Sequence, residues 1–412
     1  MITVKAFRGL RPKEEKASKI ASPPYDVLSS EEAREMAREN PISFLHVNKP
    51  EIDLPEDTDP YSDIVYETGR KNLQKFIDEG HLVQDQKESI YIYRQTWKGH
   101  VQTGYFVLSS VEDYDEGRVK KHEFTRPQKE ADRTKLIDVM NAQVGPVFLL
   151  YKDEPALNNL LEEAARAEPS VDFISPDEVR HQLWVIDDAD MTGRIVSGFE
   201  KLEATYVADG HHRSASASNV RKIRKEKNPN HTGDEPYNFF LSVIFPKSHL
   251  KILPYNRVLT DLNDLSKDQF LDKVKEKFDL QKAEGAFEVA DEHEFGMYLD
   301  GDWYMLTPRT GSYNAGDPIE GLDVNILMKN LLEPVLDIGN PRIDPRIDFV
   351  GGIRGNKELK RLVDSGKFAV AFALYPTSVE NLISVADAGE VMPPKSTWFE
   401  PKLRSGMVSH LL

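Results

Sequence analysis

Residues 129–245 alternate between two hydrophobic periods, and this alternation limits the fold more than any other feature of the sequence. Short apolar runs typical of buried strands occur at 146–151, 182–187, 204–208 and 239–245. Segments with helical periodicity separate them. Strands that alternate with helices pack as a sheet with helices on its faces. We therefore predict a mixed α+β fold.

The segments on either side also contain strand and helix signals. Alternating residues around Lys98-Gly99 predict a β-hairpin, and Asp300-Gly301 predicts a second one. Helices are expected near 322–335 and 356–365. A chain of 412 residues is too long for one small core. We predict three segments: an N-terminal α/β segment with a β-hairpin (1–105), a core (106–258), and a C-terminal α/β segment ending in PPKSTWFEPKLRSG (259–412).

Charge and composition exclude several classes of function. The net charge is −16, and binding to nucleic acid needs clustered Lys and Arg, so no nucleic-acid partner is expected. The absence of cysteine excludes thiolate nucleophiles, cysteine-based zinc sites and iron–sulfur clusters. No apolar run is long enough to span a membrane, and the N-terminus lacks the apolar region of a signal peptide. We expect a cytoplasmic protein with no membrane partner.

The stretch YVADGHHRSASA, at 206–217, runs from an apolar strand through Asp209-Gly210 into a predicted helix. The first N–H groups and the dipole of such a helix attract an anion. Arg213 in the first turn opposes the dipole unless an anion lies beside it. The sequence therefore predicts a phosphate site formed by Gly210, His211, His212 and Arg213. Asp209 is the candidate hydrogen-bond acceptor or Mg²⁺ ligand.

Two other interpretations of this stretch remain open. In the first, Asp209 is the N-cap of the helix and the histidines are solvated. In the second, His211 and His212 bind zinc, although adjacent residues rarely share one metal and no third ligand has a suitable spacing.

A second charged stretch, VKKHEFTRPQKEADR at 119–133, contains residues of catalytic type. Pro127 places its first part in a loop ahead of a helix at 129–142. Loops that combine an acid, an imidazole and a guanidinium are common in active sites. The alternative is a solvated face in which Glu130, Asp132 and Lys135 pair along the helix. The site candidates in this stretch are His122, Glu123, Arg126, Lys129 and Arg133.

The C-terminal stretch supplies three further pocket candidates, Lys395, Ser396 and Thr397. A Lys-Ser/Thr pair grips phosphate in P-loops, but no G-x-x-x-x-G precedes this one. The alternative is a structural arm. The dinucleotide-binding, protein-kinase and serine-hydrolase signatures are also absent. SPPYD at 22–26 has no chemistry that follows from its residues alone.

Five motifs in one order carry a family resemblance: SPPYDV, HEFTRPQKEADR, YVADGHHR, LPYNRV and MPPKSTWFEPKLRSG. With them the chain, from about Phe7 to its C-terminus, resembles the domain-of-unknown-function family 1015. The order Glu123, helix 129–142, apolar strand 145–149 and Asp209–Arg213 is also similar to the ParB/sulfiredoxin-like core. This resemblance implies such a core with large N-terminal and C-terminal α/β extensions.

The D-G-H-H-R form resembles that of the free-serine kinases within this superfamily. The resemblance implies that the turn holds nucleotide phosphates and that Glu123 deprotonates the substrate hydroxyl. Glu123, Asp209 and His212 become the catalytic candidates. ATP or ADP would be the phosphoryl donor, Mg²⁺ the cofactor, and L-serine, converted to O-phospho-L-serine, the substrate. Sulfiredoxin chemistry is excluded because it needs a cysteine.

Two other functions stay open. A nucleotide-binding switch, or a ParB-like transcriptional regulator without kinase activity, would bind nucleotide without turning over an amino acid. A hydrolytic nucleotidase would release inorganic phosphate without an acceptor product. The expected partners are a nucleotide and a small-molecule substrate, and the sequence leaves open whether the chain forms a homodimer.

Overall fold

The structure, a computed structural model, describes residues Met1–Leu412 and forms two compact units. Unit 1 comprises Met1–Leu250 together with Pro401–Leu412, and unit 2 comprises Lys251–Glu400. The predicted N-terminal segment and nearly all of the predicted core therefore share one unit, to which the end of the chain returns. The three-segment division itself stays a prediction.

Helices occur throughout both units. In chain order they are α1 (Glu14–Ile20), α2 (Ser30–Ala37), α3 (Leu45–Asn48), α4 (Asp63–Asp78), α5 (Val111–Asp115), α6 (Pro127–Met140), α7 (Pro155–Ala164), α8 (Ala189–Phe199), α9 (His211–Lys227), α10 (Lys267–Lys277), α11 (Asp323–Leu327), α12 (Gly355–Asp364) and α13 (Val379–Asp387).

Strands are interspersed with these helices. In chain order they are β1 (Val4–Lys5), β2 (Leu10–Pro12), β3 (Leu82–Gln84), β4 (Ile90–Trp97), β5 (His100–Ser110), β6 (Val119–Lys120), β7 (Ala142–Gln143), β8 (Val147–Tyr151), β9 (Val171–Ile174), β10 (Arg180–Ile186), β11 (Thr205–Asp209), β12 (Phe239–Pro246), β13 (Ile252–Leu253), β14 (Tyr255–Leu259), β15 (Phe278–Ala283), β16 (Phe295–Leu299), β17 (Asp302–Pro308), β18 (Ile347–Gly351), β19 (Val370–Leu374), β20 (Trp398–Phe399) and β21 (His410–Leu411).

Unit 1 is built on a nine-stranded mixed sheet. Its order is β6-β11-β8-β12-β5-β4-β10-β9, with β1 also paired to β5. β8 runs parallel to β12 and antiparallel to β11. Every residue of β8 is buried, as expected of a strand covered on both faces. The α+β prediction is confirmed, and the sheet places the end of β11 at the start of α9.

The local predictions near this sheet agree well with the structure. The hairpin β4–β5 turns at Lys98 and Gly99, whose φ angles of 48° and 79° suit the twist of a two-residue turn. The helix predicted at 129–142 begins two residues earlier, at Pro127, where the missing proline N–H is not needed. It ends at Met140, and the C-cap residue Asn141 has a left-handed φ of 54°.

Unit 2 contains a six-stranded antiparallel sheet of order β15-β17-β16-β19-β14-β18. Its predicted hairpin is present, with Asp300 and Gly301 at positive φ between β16 and β17. The helix predicted at 322–335 is shorter than expected, because α11 gives way to a π-helical turn at Met328–Leu332. Neither unit has a helix that is both long enough and apolar enough to cross a membrane.

Candidate active site

The turn between β11 and α9 is formed by Gly210. Its φ of 99° lies in the left-handed region that favours glycine, and it occupies the N-cap position of α9. No side chain caps this helix end, and Asp209 is the last residue of β11. The interpretation of Asp209 as N-cap is therefore wrong, because Gly210 occupies the N-cap position and no side chain accepts from the first N–H groups of the helix.

Two carboxylates and two cations alternate beside this turn. Lys402 Nζ donates to Asp209 Oδ2 at 3.0 Å. A terminal nitrogen of Arg213 lies 4.0 Å from Asp209 Oδ1 and 3.5 Å from Asp26 Oδ2. Arg213 also donates to the carbonyl of Pro146. Asp26 and Lys402 come from opposite ends of the chain, so the fold assembles this cluster.

The half-buried Asp209 and the buried Arg213 both stay ionised. Burial raises the pKa of Asp209, but Lys402 and Arg213 outweigh it and hold this pKa well below its ordinary value. Burial lowers the pKa of Arg213, but Asp26 and Asp209 raise it overall. The arginine at the helix start is thus balanced by protein carboxylates, which corrects the argument that only a bound anion could explain it. Its buried Nε, however, makes no hydrogen bond.

The two predicted motifs meet through the histidines of the turn. The backbone N–H of Arg126 donates to His212 Nε2 at 2.9 Å, and that of His122 points to His211 Nε2 at 3.5 Å. Glu123 lies in the loop between these two anchor points. Because both Nε2 atoms act as acceptors, each imidazole is neutral with its proton on Nδ1.

Burial explains why these imidazoles are neutral. His122 and His211 are buried, and their rings meet edge to face with centroids 4.5 Å apart. Burial lowers the pKa of His122 to about 4. Burial and the neighbouring His122 place the pKa of His211 well below its ordinary value, and burial also lowers that of His212. The interpretation of the turn histidines as solvated is wrong for His211. In this arrangement the Nε2 atoms of His211 and His212 accept hydrogen bonds from the backbone, so they cannot donate to a phosphate.

Other candidates from the 119–133 stretch lie at the edge of this cluster or outside it. The side chains of Arg126 and Lys129 are exposed, and Lys129 Nζ lies 5.5 Å from the Tyr61 ring. Arg133 stacks its guanidinium 4.2 Å from the ring of Tyr25, the residue before Asp26. Arg133 is therefore linked to the site through Tyr25.

The alternative of a solvated face fails for part of α6. Asp132 is buried and accepts hydrogen bonds from Tyr66 and Arg133. Glu130 is half-buried and accepts from Thr125 and Asn219. These two acids hold α6 against its neighbours and fix the start of the helix that follows the Glu123 loop.

The C-terminal candidates Lys395, Ser396 and Thr397 lie in unit 2. Ser396 is buried, and its hydroxyl donates to the carbonyl of Pro393 at 2.6 Å. Lys395 Nζ lies 5.5 Å from the ring of Tyr255. These contacts are those of a structural arm. The zinc interpretation gains no support either, because no group of three or more metal-ligating side chains occurs.

Sequence reasoning missed Asp26 and Lys402. The segments that carry them pair directly, since the N–H of Ser22 donates to the carbonyl of Ser405 at 3.1 Å and the reverse bond measures 3.0 Å. SPPYD and PKLRSG were both visible as dense groups of proline and polar residues. Nothing in the sequence indicated that they pair.

The fold of this chain is α+β, and its candidate site combines a strand–glycine–helix turn with an acid-bearing loop. The chain belongs to the DUF1015 family, described as protein of unknown function, whose model matches residues 4–325. No curated protein matches the sequence.

Solved structures to which the chain is similar include a free serine kinase in complex with AMP, at 12% identity and a TM-score of 0.35. The match covers 71% of this chain and 86% of that one. A conserved hypothetical protein from Pyrococcus furiosus matches at 13% identity and a TM-score of 0.34, covering 73% of this chain and 93% of that one. C-terminally truncated SbnI from Staphylococcus aureus matches at 12% identity and a TM-score of 0.36, covering 72% of this chain and 84% of that one.

Proposed function

We propose that the chain transfers a phosphoryl group from ATP or ADP to the hydroxyl of a small molecule, with free L-serine as the substrate. The observation that carries this proposal is the contact between the two motifs. The N–H groups of His122 and Arg126 point to the turn histidines, so the Glu123 loop lies at the start of α9. The ParB/sulfiredoxin-like identity of residues 106–258 is part of the same proposal.

The phosphate would bind at the Gly210 turn. α9 has 17 residues and no side-chain cap, so its first N–H groups and its dipole are available to an anion. The unsatisfied Nε of the buried Arg213 is a second donor. The position of this Nε also explains why residue 210 is a glycine, because a Cβ at residue 210 would lie 3.2 Å from it. A phosphate oxygen would satisfy both kinds of donor.

In the proposed reaction Glu123 takes the proton of the substrate hydroxyl. The hydroxyl oxygen bonds to the terminal phosphorus as the bond from that phosphorus to its bridging oxygen breaks, which releases a nucleotide shorter by one phosphate. Negative charge on the phosphoryl oxygens is stabilised by the N–H groups of α9 and by Arg213. His211 and His212 hold the Glu123 loop in place through their Nε2 atoms.

A magnesium ion would neutralise phosphate charge in this site. Mg²⁺ is commonly held by one or two carboxylates together with substrate phosphates. Asp209, the last residue of β11, provides one carboxylate at the turn. Asp209 would therefore hold an ion that arrives with the nucleotide.

The test is to incubate the purified protein with Mg²⁺, L-serine and either ATP or ADP, and to measure O-phosphoserine. We expect product with one of the donors, and a rate at least ~100-fold lower for Glu123→Gln. Glu200→Gln, at an exposed position after α8, is the matched control and should retain the wild-type rate.

Two results would contradict the proposal in different ways. Nucleotide binding without phosphoserine would favour a nucleotide-binding switch, which a salt-dependent DNA affinity would then support. Release of inorganic phosphate without phosphoserine would favour a nucleotidase. Unchanged turnover in Glu123→Gln would remove Glu123 as the base while leaving the reaction in place.

A further inference from the structure

The end of the chain, Pro401–Leu412, belongs to unit 1 and forms hydrogen bonds with the N-terminal part of that unit. Gln102 and Gln95 donate to the carbonyls of Pro401 and Lys402 at 3.1 and 2.8 Å. Further along, Ser409 bonds with Leu10 through both its N–H and its carbonyl. We call Pro401–Leu412 the C-terminal strap.

The side chain of Arg404 fixes the strap close to the site. Arg404 is buried, donates to Ser175 at 3.2 Å and forms an ion pair with Asp177. Burial raises the pKa of Asp177, but Arg404 lowers it overall, so the pair stays ionised. Two residues before Arg404, Lys402 reaches Asp209. The anchors on both sides show that the fold determines the position of this lysine.

We propose that Lys402 is a further ligand-binding residue, whose ammonium is shared between Asp209 and the phosphate of a nucleotide at the Gly210 turn. This inference rests on the proposed function and adds a residue from the far end of the chain. Three observations support it: the 3.0 Å contact of Nζ with Asp209 Oδ2, the position of Asp209 directly before Gly210, and the anchored strap. A lysine ammonium is a point charge with several donors, which suits a shared carboxylate and phosphate.

The same geometry is compatible with a simpler role, in which Lys402 only neutralises the half-buried Asp209. The two roles predict different results once Asp209 loses its charge. A lysine that only neutralises Asp209 becomes dispensable in an Asp209→Asn background. A lysine that contacts phosphate remains necessary there, because the charge of the ligand is unchanged.

The experiment measures ADP binding by calorimetry without metal, for the wild type, Lys402→Met, Asp209→Asn and the double variant Asp209→Asn/Lys402→Met. We expect Lys402→Met to bind ADP about 10-fold or more weakly, the loss of one charge-assisted hydrogen bond. We expect the double variant to regain thermal stability, because no buried charge is left unpaired, and to bind ADP as weakly as Lys402→Met. Lys402→Arg, which keeps the charge, should bind more tightly than Lys402→Met.

Lys71→Met, at an exposed position on α4, is the matched control and should bind ADP as the wild type does. ADP affinity of Lys402→Met within twofold of wild type would overturn the inference, as would recovery of ADP binding in the double variant. Both results would leave the proposed function standing. A wild-type protein that binds neither ADP nor ATP would overturn the proposed function and this inference together.

Discussion

Two turns in this chain, one in each unit, share the same local design. In unit 1, β11 leads through Gly210 into α9. In unit 2, β18 leads through the glycine-rich GGIRG stretch into α12, whose first residue, Gly355, also has a positive φ, 67°. Both helices therefore begin at a positive-φ glycine, which is the N-cap of α9 and the first residue of α12, and a helix N-terminus attracts anions.

The difference lies in the charges around the two turns. In unit 1, Arg213 is buried between Asp26 and Asp209, and Lys402 completes the cluster from the C-terminal strap. In unit 2, Arg354 and Arg361 are exposed and pair with Glu358 on their own helix. Exposed pairs of this kind contribute little. The strand–glycine–helix pattern therefore does not distinguish the two turns, whereas the charged groups that remote segments bring to Gly210 do.

Replacing the arginine at each turn should give the largest contrast. Arg213→Met leaves Asp26 and Asp209 without their shared cation, and we expect a loss of about 3 kcal/mol in the free energy of unfolding. Arg354→Met removes an exposed charge and should change stability by less than about 0.5 kcal/mol. Urea unfolding followed by fluorescence measures both changes.

ADP titration of the same two variants distinguishes a role in ligand binding from a role in stability alone. Arg213→Met should abolish measurable ADP binding, whereas Arg354→Met should bind as the wild type does. Equal losses of stability in the two variants would contradict the distinction between the turns. Retained ADP binding in folded Arg213→Met would remove this arginine from the phosphate site.

The response to pH should differ between the units in sign. His122 has a pKa of about 4 in the folded protein because of burial, against about 6.5 when unfolded. The unfolded chain therefore binds more protons between these values, and unit 1 loses stability as pH falls through them. From pH 7.5 to 5 this histidine alone should remove about 2 kcal/mol.

Unit 2 contains Asp323, whose pKa burial raises to about 6 despite the hydrogen bond to His293. A raised carboxyl pKa makes the folded state bind the extra proton, so this group stabilises unit 2 as pH falls through 6. Hydrogen exchange at pH 7.5 and 5 resolves the two units. Protection should fall around α9 and be maintained or rise around α11, and a parallel loss in both would contradict the assignment.

The sequence predicted what depends on neighbours along the chain. Hydrophobic period located β8, β11 and β12, and turn chemistry located Gly99 and Gly301, because these signals are local. The Gly210 turn and the Glu123 loop were recognised for the same reason. The hydrogen bonds between the two motifs could not be predicted, because residue spacing along the chain does not show which backbone N–H an imidazole accepts from.

The site residues that the sequence did not predict depend on pairing between segments that are far apart in the chain. Asp26 and Lys402 reach the turn because the Ser22 and Ser405 segments form a bridge, and no periodicity encodes that contact. Lys395, the lysine chosen from the C-terminal motif, instead lies over Tyr255 in unit 2. Two lysines in one motif were equivalent in sequence, and only the fold distinguishes them.

Replacing the glycine at each turn should give smaller losses of stability than Arg213→Met. The two variants test whether only the Gly210 turn binds ADP. Gly210→Ala and Gly355→Ala each force a Cβ onto positive-φ backbone, with ψ near 30° at Gly210 and 177° at Gly355, and should each reduce stability by at least about 1 kcal/mol. At Gly355 the new Cβ meets nothing within 4 Å, whereas at Gly210 it meets Arg213 Nε at 3.2 Å. We therefore expect a loss of thermal stability in both variants but weaker ADP binding only for Gly210→Ala. If ADP affinity is unchanged in Gly210→Ala, the ligand does not approach Arg213 past this glycine.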